Sequence, residues 1–522
     1  MTETRNPGDD PPGFAEPFLL RTLGGAGLDV EYVRGEGNTL YRRTEDGGES
    51  PVLDFAGGYG STMLGHSNPE IVAYAVELLQ GGTPIHAQFS RHPYANAVAA
   101  ELNRIIQRER GDDEEYYAIF ANSGAEAVEA AMKHAELDRV VRLSALTDEI
   151  DAHIDEVSVR VAAGTATVPA EVADSIEDLI ADVRHRNAER IARGPLFLTP
   201  EGAFHGKLAG SVQLTHNEVY RVPFRGLAAQ ARFVPKDRPG ALRKIVEEER
   251  AVLLDLVVEG GQVQVAERGY PLFAAFVLEP IQGEGGIYEL TPEFVREIQE
   301  VCQQTGIPVV VDEIQCGMGR TGKFLAGTHL GLKGDYYTLA KSLGGGIAKA
   351  AVMLVRKALY HGQQFELSHS STFAKDSFST EISLKVLELM EADGGAVYRR
   401  AAERGERMTA MLRSVLADFP ETVREVRGRG LILGLEFQDQ SAAEAEPLRQ
   451  AGLSGIFGYL LSGYLLKEHA IRTFPTASAV YTLRFEPSVY VTNEEIDRLE
   501  AGLRDVCAII RDTDGGRLIP AA

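Results

Sequence analysis

The sequence has few cysteines, no excess of positive charge and no long apolar run, and each absence excludes a class of protein. Its three cysteines, Cys302, Cys316 and Cys507, stand far apart, which provides neither a disulfide framework nor a metal-binding spacing and is typical of the reducing cytoplasm. A net charge of −23 is unlike that of nucleic-acid-binding proteins. No run is long enough to span a membrane, and the polar N-terminus is unlike a signal peptide. We therefore expect a cytoplasmic protein with no nucleic-acid or membrane partner.

The chain is long and apolar enough to bury a large core. It has 522 residues, of which 44% are hydrophobic, and this indicates two domains, one of them interrupted. Within residues 76–365, helical periods alternate with apolar runs at 116–121, 195–199, 273–279, 307–312 and 336–340. The alternation predicts an α/β fold whose large domain has a doubly wound, mostly parallel sheet. Residues 1–75 and 366–522 predict a smaller α/β domain built from both ends of the chain.

One stretch, at about residues 139–193, departs from the alternation of strand and helix. Ile150, Ile154 and Val157 recur at helical spacing, and a second helical pattern runs from Val172 until Gly194. The pattern predicts an inserted pair of helices with a polar outer face. Two roles remain open for this insertion: a surface addition or dimer contact, and a lid or wall at the mouth of a substrate site.

Lys341 and Asp312 suggest the chemistry. Asp312 closes the β-branched run 307–311, and Lys341 follows the next apolar run, 336–340. An acid and an amine at the ends of successive parallel strands suit an aldehyde cofactor with a basic ring nitrogen. The amine can bind the aldehyde covalently, and the acid can keep the ring nitrogen protonated. The pair therefore predicts pyridoxal 5′-phosphate (PLP) as the cofactor.

Three other motifs give weaker evidence for a site when each is considered alone. Ser123 opens a helix after a predicted strand, which suits either a phosphate site or an ordinary helix cap. Phe204 follows another strand and either stacks on a flat ring or belongs to the core. Glu279 and Glu284 flank the end of an apolar run and require partners, for which Arg484 is a candidate.

The glycines at 317–322 match two nucleotide-binding patterns only superficially. The dinucleotide fingerprint needs an acid about twenty residues further on, and a P-loop needs Ser or Thr where Phe324 stands. A tight loop beside a site explains these glycines better.

Taken together, the motifs resemble those of the class III aminotransferases of the ornithine, acetylornithine and putrescine type, which are fold type I PLP enzymes. The resemblance covers most of residues 50–510 apart from the insertion. It rests on residues 64–69, 122–127, 204–206, 279–286, 312–315, 317–322, 339–342 and 371–373. It implies a homodimer whose active sites are shared between subunits.

The resemblance also implies a role for each matched residue. Lys341 would be the lysine that binds the cofactor, and Asp312 would be the partner of its ring nitrogen. The other implied cofactor contacts are Ser123, Gly124, Ala125, Phe204, His205, Glu279, Gln315 and, across the dimer, Thr372. The implied substrate contacts are Tyr59, Phe89, Lys207, Glu284 and Arg484. Within these, Arg484 would bind the distal carboxylate of glutamate, and Glu284 would pair with it otherwise.

Two departures from the family pattern bear on the substrate. Lys207 stands where members that bind an α-carboxylate carry arginine, and residues 373–376 replace the usual Phe-Gly-Gly-Asn. The length and the insertion resemble members that aminate a bulky aromatic aldehyde in antibiotic biosynthesis. We therefore expect an aminotransferase that moves an amino group from L-glutamate or L-glutamine to an aldehyde or ketone by a ping-pong mechanism.

Several alternatives stay open. The same scaffold resembles ω-amine or diamine aminotransferases, aminomutases and dialkylglycine decarboxylases. A protein that binds the cofactor without catalysis is a further alternative, against which the intact Lys341, Asp312 and Gln315 argue.

Overall fold

The computed structural model describes residues 16–86, 90, 91 and 93–519. Among these, residues up to Pro69 and from Arg400 onwards form one compact unit, called the flanking unit, and Glu70–Arg399 form the central unit. Phe89, an expected substrate contact, lies outside the described residues. No helix in the described ranges is long and apolar enough to cross a membrane.

The helices are numbered in chain order. They are α1 (Pro17–Gly25), α2 (Gly57–Gly60), α3 (Pro69–Gln80), α4 (Pro93–Arg110), α5 (Gly124–Ala162), α6 (Ile176–Ile191), α7 (Glu218–Arg221), α8 (Ala241–Glu248), α9 (Pro292–Thr305), α10 (Gly362–Ser368), α11 (Ser377–Asp418, kinked at 392–395), α12 (Glu446–Leu453), α13 (Phe457–His469) and α14 (Asn493–Arg511).

The strands are numbered in the same way. They are β1 (Tyr32–Glu36), β2 (Thr39–Arg43), β3 (Glu49–Asp54), β4 (Tyr116–Ala121), β5 (Leu196–Pro200), β6 (Ala231–Val234), β7 (Val252–Glu259), β8 (Gln262–Gly269), β9 (Phe273–Leu278), β10 (Ile281–Gln282), β11 (Tyr288–Glu289), β12 (Val309–Asp312), β13 (Tyr336–Leu339), β14 (Ala351–Arg356), β15 (Val423–Arg429), β16 (Ile432–Phe437), β17 (Ile471–Arg472), β18 (Phe474–Thr476) and β19 (Ala479–Phe485).

The central unit is built on a seven-stranded sheet with the order β4-β14-β13-β12-β9-β5-β6. The strands from β13 to β6 are mutually parallel, and β14 runs antiparallel to both β13 and β4. This confirms the α/β class and the mostly parallel sheet. Since parallel strands end at the same edge, the residues that follow β5, β9, β12 and β13 lie along one edge of the sheet.

Helix α5 packs on one face of this sheet through small side chains. Ala130, Ala131 and Ala135 are fully buried, and they share a core cluster with Ala275 of β9 and Val355 of β14. Alanine at these positions allows a close approach of helix and sheet, and the β-branched side chains fill the remaining space.

The insertion differs from its prediction in two ways. Its first helix is not separate but is the continuation of α5, which runs for 39 residues, or about 58 Å at the usual helical rise. The insertion also packs on a two-stranded hairpin, β7–β8, which the sequence pattern did not predict. Asn187 of α6 holds the hairpin, because its side chain donates to Leu254 O (2.8 Å) and accepts from Leu254 N (2.7 Å).

This module of α5, α6 and β7–β8 has a hydrophobic cluster of its own. The cluster includes Leu196, which begins β5, and Leu272, which precedes β9. The module therefore packs at the amino-terminal edge of the sheet. That edge is opposite the carboxyl ends of the strands, where Asp312 lies, so the structure does not support a role as a lid over the carboxyl ends.

In the flanking unit, strands from both ends of the chain share a sheet. β3 pairs in parallel with β17, and the sheet order is β1-β2-β3-β17. A second, antiparallel sheet has the order β15-β16-β19-β18. The N-terminal segment thus completes the C-terminal part of the chain.

Candidate active site

Asp312 ends β12 and is almost fully buried. His205 Nδ1 donates to its Oδ2 at 2.8 Å, and its Oδ1 accepts from Thr338 Oγ1 and from Ile314 N, both at 3.1 Å. Burial alone would lower the pKa of His205, but the hydrogen bond and charge of Asp312 outweigh it and raise the pKa. Among the residues that the structure describes, three donors hold the carboxylate, which leaves it about one further acceptor position.

Glu279, directly after β9, holds two loops of the site in place. One carboxylate oxygen accepts from Phe204 N (2.9 Å) and the other from Gly283 N (3.3 Å). Burial is the main cause that raises the pKa of Glu279 to about 7, against the opposing effect of His205. This glutamate therefore fixes the backbone of the Phe204 segment and the start of the loop that carries Glu284.

Lys341 follows β13, the parallel neighbour of β12. In this pairing Asp312 lies opposite Thr338, three residues before Lys341. Lys341 is partly buried and has the left-handed φ of 49°, a strained conformation for a residue with a side chain. The adjacent strand ends thus carry the acid and the amine, as the sequence predicts.

The connection between these two strands corrects one expectation. It contains a short 3-10 turn, Ala326–Leu330, where the alternation of strand and helix predicts an α-helix. The glycines at 317–322 lie in this loop and open no helix, and Gly319 and Gly322 have positive φ.

Glu313 is important to the site, although no motif in the sequence singled it out. Its buried carboxylate accepts from Ala326 N (2.9 Å) and Gly327 N (2.8 Å), and burial raises its pKa to about 7. It therefore fixes the long loop beside Asp312. Its signal in the sequence was a second acid directly after a buried strand.

Ser123 caps α5 and leaves donors for an anion. Its hydroxyl oxygen accepts from Glu126 N, and the Glu126 side chain accepts from Ser123 N in return. Within the described part of the chain, the hydroxyl proton of Ser123 and the first N–H groups of the helix, on Gly124 and Ala125, remain available to a ligand at the positive end of the helix dipole.

Glycines bring this helix start close to the other segments. A side chain on Gly124 would approach Ile314 Cδ1 to 2.9 Å, and one on Gly206 would approach Ala125 Cβ to 2.7 Å. Likewise, a side chain on Gly283 would reach 2.4 Å from the Gln315 amide oxygen. The structure therefore brings together the predicted residues 123–125, 204–206, 279, 312 and 315 within the central unit.

Lys207 and Thr372 belong to the same unit. Lys207 is exposed, and its Nζ lies 4.0 Å from the ring centre of Tyr220 and 5.9 Å from that of Phe204. The neighbour of Thr372, Ser371, accepts a hydrogen bond from Asn122 Nδ2 at 2.8 Å.

Two further predicted residues, Tyr59 and Arg484, meet in the flanking unit. Arg484 is 3% exposed, and its guanidinium lies 4.8 Å from the ring centre of Tyr59. Its Nη2 donates to Pro475 O at 3.2 Å. Tyr59 is 41% exposed and has a left-handed backbone. The structure thus presents a buried guanidinium behind an accessible phenol ring.

Comparisons with known proteins identify the family. The model of the aminotransferase class III family matches residues 25–506. The chain belongs to the class III aminotransferases. The putrescine aminotransferase of Pectobacterium atrosepticum is 28% identical over 506 residues, which are 96% of this chain and 87% of that protein.

Solved structures of ornithine aminotransferases share the fold. The ornithine aminotransferase of Toxoplasma gondii ME49 has a TM-score of 0.66 and 20% identity, over 93% of this chain and 91% of its own. A second structure of the Toxoplasma gondii enzyme contains PLP at partial occupancy in its active site. It has a TM-score of 0.65 and 21% identity, over 92% of this chain and 91% of its own.

Class III aminotransferases use PLP, and the site described above fits this cofactor. Asp312 has an acceptor position left for a protonated ring nitrogen, and the start of α5 offers donors to a phosphate. Lys341 supplies a primary amine one strand away. When bound, PLP supplies a conjugated ring that accepts the electrons released at the substrate carbon. Asp312 would favour the protonated ring nitrogen, and His205, Thr338 and Ile314 N orient this carboxylate. Lys341 Nζ would take the proton that leaves the substrate carbon and deliver it to the cofactor, as the transfer of an amino group requires.

Proposed function

We propose that this aminotransferase takes its amino group from L-glutamate or L-glutamine and passes it to an aldehyde or ketone, in a ping-pong reaction. One observation supports the dicarboxylate donor: Arg484 is buried and its guanidinium lies against Tyr59. A buried arginine binds a carboxylate with two parallel hydrogen bonds. In this proposal Arg484 binds the distal carboxylate of glutamate.

For the acceptor, we propose a bulky aldehyde of specialised metabolism, like that aminated in caerulomycin (bipyridyl) biosynthesis. This rests on the likeness of the chain length and the insertion to those of that enzyme, and on Lys207 at the position where arginine would bind an α-carboxylate. The insertion itself packs at the amino-terminal edge of the sheet and does not border the candidate site. Lys207 lies against Tyr220, so an aromatic ring and a single ammonium border the Phe204 segment.

A second candidate is a diamine or ω-amine donor. The relative from Pectobacterium atrosepticum is named a putrescine aminotransferase, and Lys207 agrees with amine-using members of the family. A diamine has no distal carboxylate, so Arg484 would make no contribution to its binding. The two candidates therefore predict different effects of the same substitution.

The remaining assignments complete the proposal. We propose a homodimer in which Thr372 contributes to the phosphate site of the partner, with Phe89 and Tyr59 as substrate contacts and Gln315 beside the ring hydroxyl. Sedimentation of the PLP-loaded protein tests the dimer. A monomer with full activity would contradict it.

The donor is tested with the wild type and Arg484→Met. We expect L-glutamate to bleach the visible absorbance of the PLP-loaded wild type and to release one equivalent of keto acid. In Arg484→Met the KM for glutamate should rise by about a hundredfold, because a charged, buried hydrogen-bond pair contributes about 2–5 kcal/mol. An unchanged KM would exclude Arg484 as the anchor. Bleaching by putrescine but not by glutamate would favour the diamine alternative.

A further inference from the structure

Asp54 is a buried carboxylate that contacts several groups at the start of the turn formed by residues 56–59, which carries Tyr59. It is 1% exposed, and its Oδ1 accepts from Ala56 N and Gly57 N, each at 3.1 Å. Its Oδ2 lies 2.8 Å from His66 Nε2. Two of its partners are therefore the backbone groups that begin the turn carrying Tyr59.

The turn has a left-handed backbone conformation that is energetically unfavourable at Tyr59 and that contacts with neighbouring residues must stabilise. Gly57, Gly58 and Tyr59 all have left-handed φ, from 52° to 56°. Such a conformation costs about 1 kcal/mol or more at a residue with a side chain and persists only where neighbours impose it. Asp54 stabilises this backbone conformation, because its carboxylate accepts hydrogen bonds from Ala56 N and Gly57 N.

The same carboxylate also binds Arg472. Arg472 Nη1 donates to Asp54 Oδ1 at 2.9 Å, and its guanidinium lies 5.0 Å from the ring centre of Phe474. The Phe474 ring in turn lies 5.8 Å from that of Tyr59. A continuous series of contacts thus leads from Asp54 through Arg472 and Phe474 to the Tyr59 ring, which also contacts Arg484.

The backbone also connects the turn that carries Tyr59 to the strand that carries Arg484. Glu486 N, two residues after Arg484, donates to Phe55 O at 2.7 Å. A side chain on Gly57 would come within 1.9 Å of Glu486 O, so only glycine allows this approach. The strand that carries Arg484 and the turn that carries Tyr59 are therefore fixed to one another within the flanking unit.

We propose that Asp54 and Arg472 are positioning residues that hold the Tyr59 ring against Arg484, and that they thereby set the affinity for a donor carboxylate. The inference rests on the proposed role of Arg484. Neither residue touches the donor in this account. They act through Phe474, the ring next to Tyr59, and through the backbone of the turn.

The experiment compares Arg472→Met, Arg472→Lys and Phe474→Leu in the PLP-loaded full-length protein. For each variant, KM and kcat are measured with L-glutamate and with an alkylamine donor that lacks a carboxylate. We expect Arg472→Met and Phe474→Leu to raise the KM for glutamate by about tenfold, because loss of a desolvated cation–ring contact costs about that factor. The KM for the amine and both kcat values should stay within about twofold, and Arg472→Lys should recover part of the loss.

Arg43→Met is the matched control, because Arg43 makes an exposed ion pair with Glu31 in the same unit. It should change neither KM nor kcat with either donor. Equal changes with both donors, or no change with either, would overturn the proposal. Arg472→Met leaves a buried charge on Asp54 and can fail to fold, in which case Phe474→Leu decides alone. If Arg484→Met itself leaves the KM for glutamate unchanged, the proposed function fails. If it raises that KM and these variants do not, only this inference fails.

Discussion

His205 and Asp312 form a fully buried ion-pair contact, with Nδ1 and Oδ2 at 2.8 Å. The histidine orients the carboxylate that we assign to the cofactor ring, and the hydrogen bond and charge of Asp312 raise the pKa of the histidine. Removal of one partner from a buried pair of this kind strongly destabilises the folded protein, because the remaining charge is left buried without its partner.

We predict that His205→Asn lowers both stability and turnover. The substitution removes the imidazole whose raised pKa favours a positive charge beside Asp312, so kcat should fall by about tenfold to a hundredfold and the free energy of unfolding by about 3 kcal/mol. Steady-state kinetics and urea unfolding measure the two effects. A variant with normal kcat would show that the pair serves only the fold.

The same pair predicts a pH dependence. Because the pKa of His205 is raised in the folded protein, its stabilising effect is fully present below the unfolded-state value of about 6.5. The effect is lost as the pH rises through the folded-state pKa. The difference in unfolding free energy between wild type and His205→Asn should therefore be largest in mild acid and shrink in alkali. A difference that grows with pH would contradict the assignment of a charged histidine.

Gly124→Ala should weaken the binding of PLP. The new methyl group would come within 2.9 Å of Ile314 Cδ1 and would displace the first turn of α5, whose N–H groups we assign to the phosphate. We expect an increase of about tenfold in the Kd for PLP, measured by fluorescence titration, because displaced donors weaken charged hydrogen bonds by roughly that factor. Gly226→Ala, whose new methyl group meets no atom of the described residues within 4 Å, is the control. Equal Kd values for the two variants would contradict a phosphate site at this helix start.

Asn187→Ala should destabilise the inserted module without changing catalysis. It leaves the N–H and C=O of Leu254 without their side-chain partner in a buried setting, at a cost of about 1–3 kcal/mol. Urea unfolding should show the loss, while KM and kcat for the donor stay unchanged, since the module packs at the edge opposite Asp312. His185→Ala, exposed on the same helix, should change neither. An altered KM in Asn187→Ala would contradict this prediction and would indicate that the insertion contributes to the substrate site.

The sequence was informative where a local pattern determines the structure. β4, β12 and β13 follow their apolar runs, and Asp312 and Lys341 stand at the strand ends because parallel strands share an edge. β14 and the β7–β8 hairpin were not predicted, because an apolar run alone does not distinguish a strand from a buried helix. The contact of His205 with Asp312 joins residues 107 apart, and the contact of Asp54 with Arg472 joins residues 418 apart. No local spacing reports such pairs.

The most direct test of the account is the response of the PLP-loaded protein to L-glutamate, followed by visible absorbance and by assay of 2-oxoglutarate. We predict bleaching, one equivalent of keto acid per active site, and recovery of the absorbance when an aldehyde acceptor is added. A protein that keeps its absorbance with glutamate, but loses it with an amine, would contradict a dicarboxylate donor and the role of Arg484.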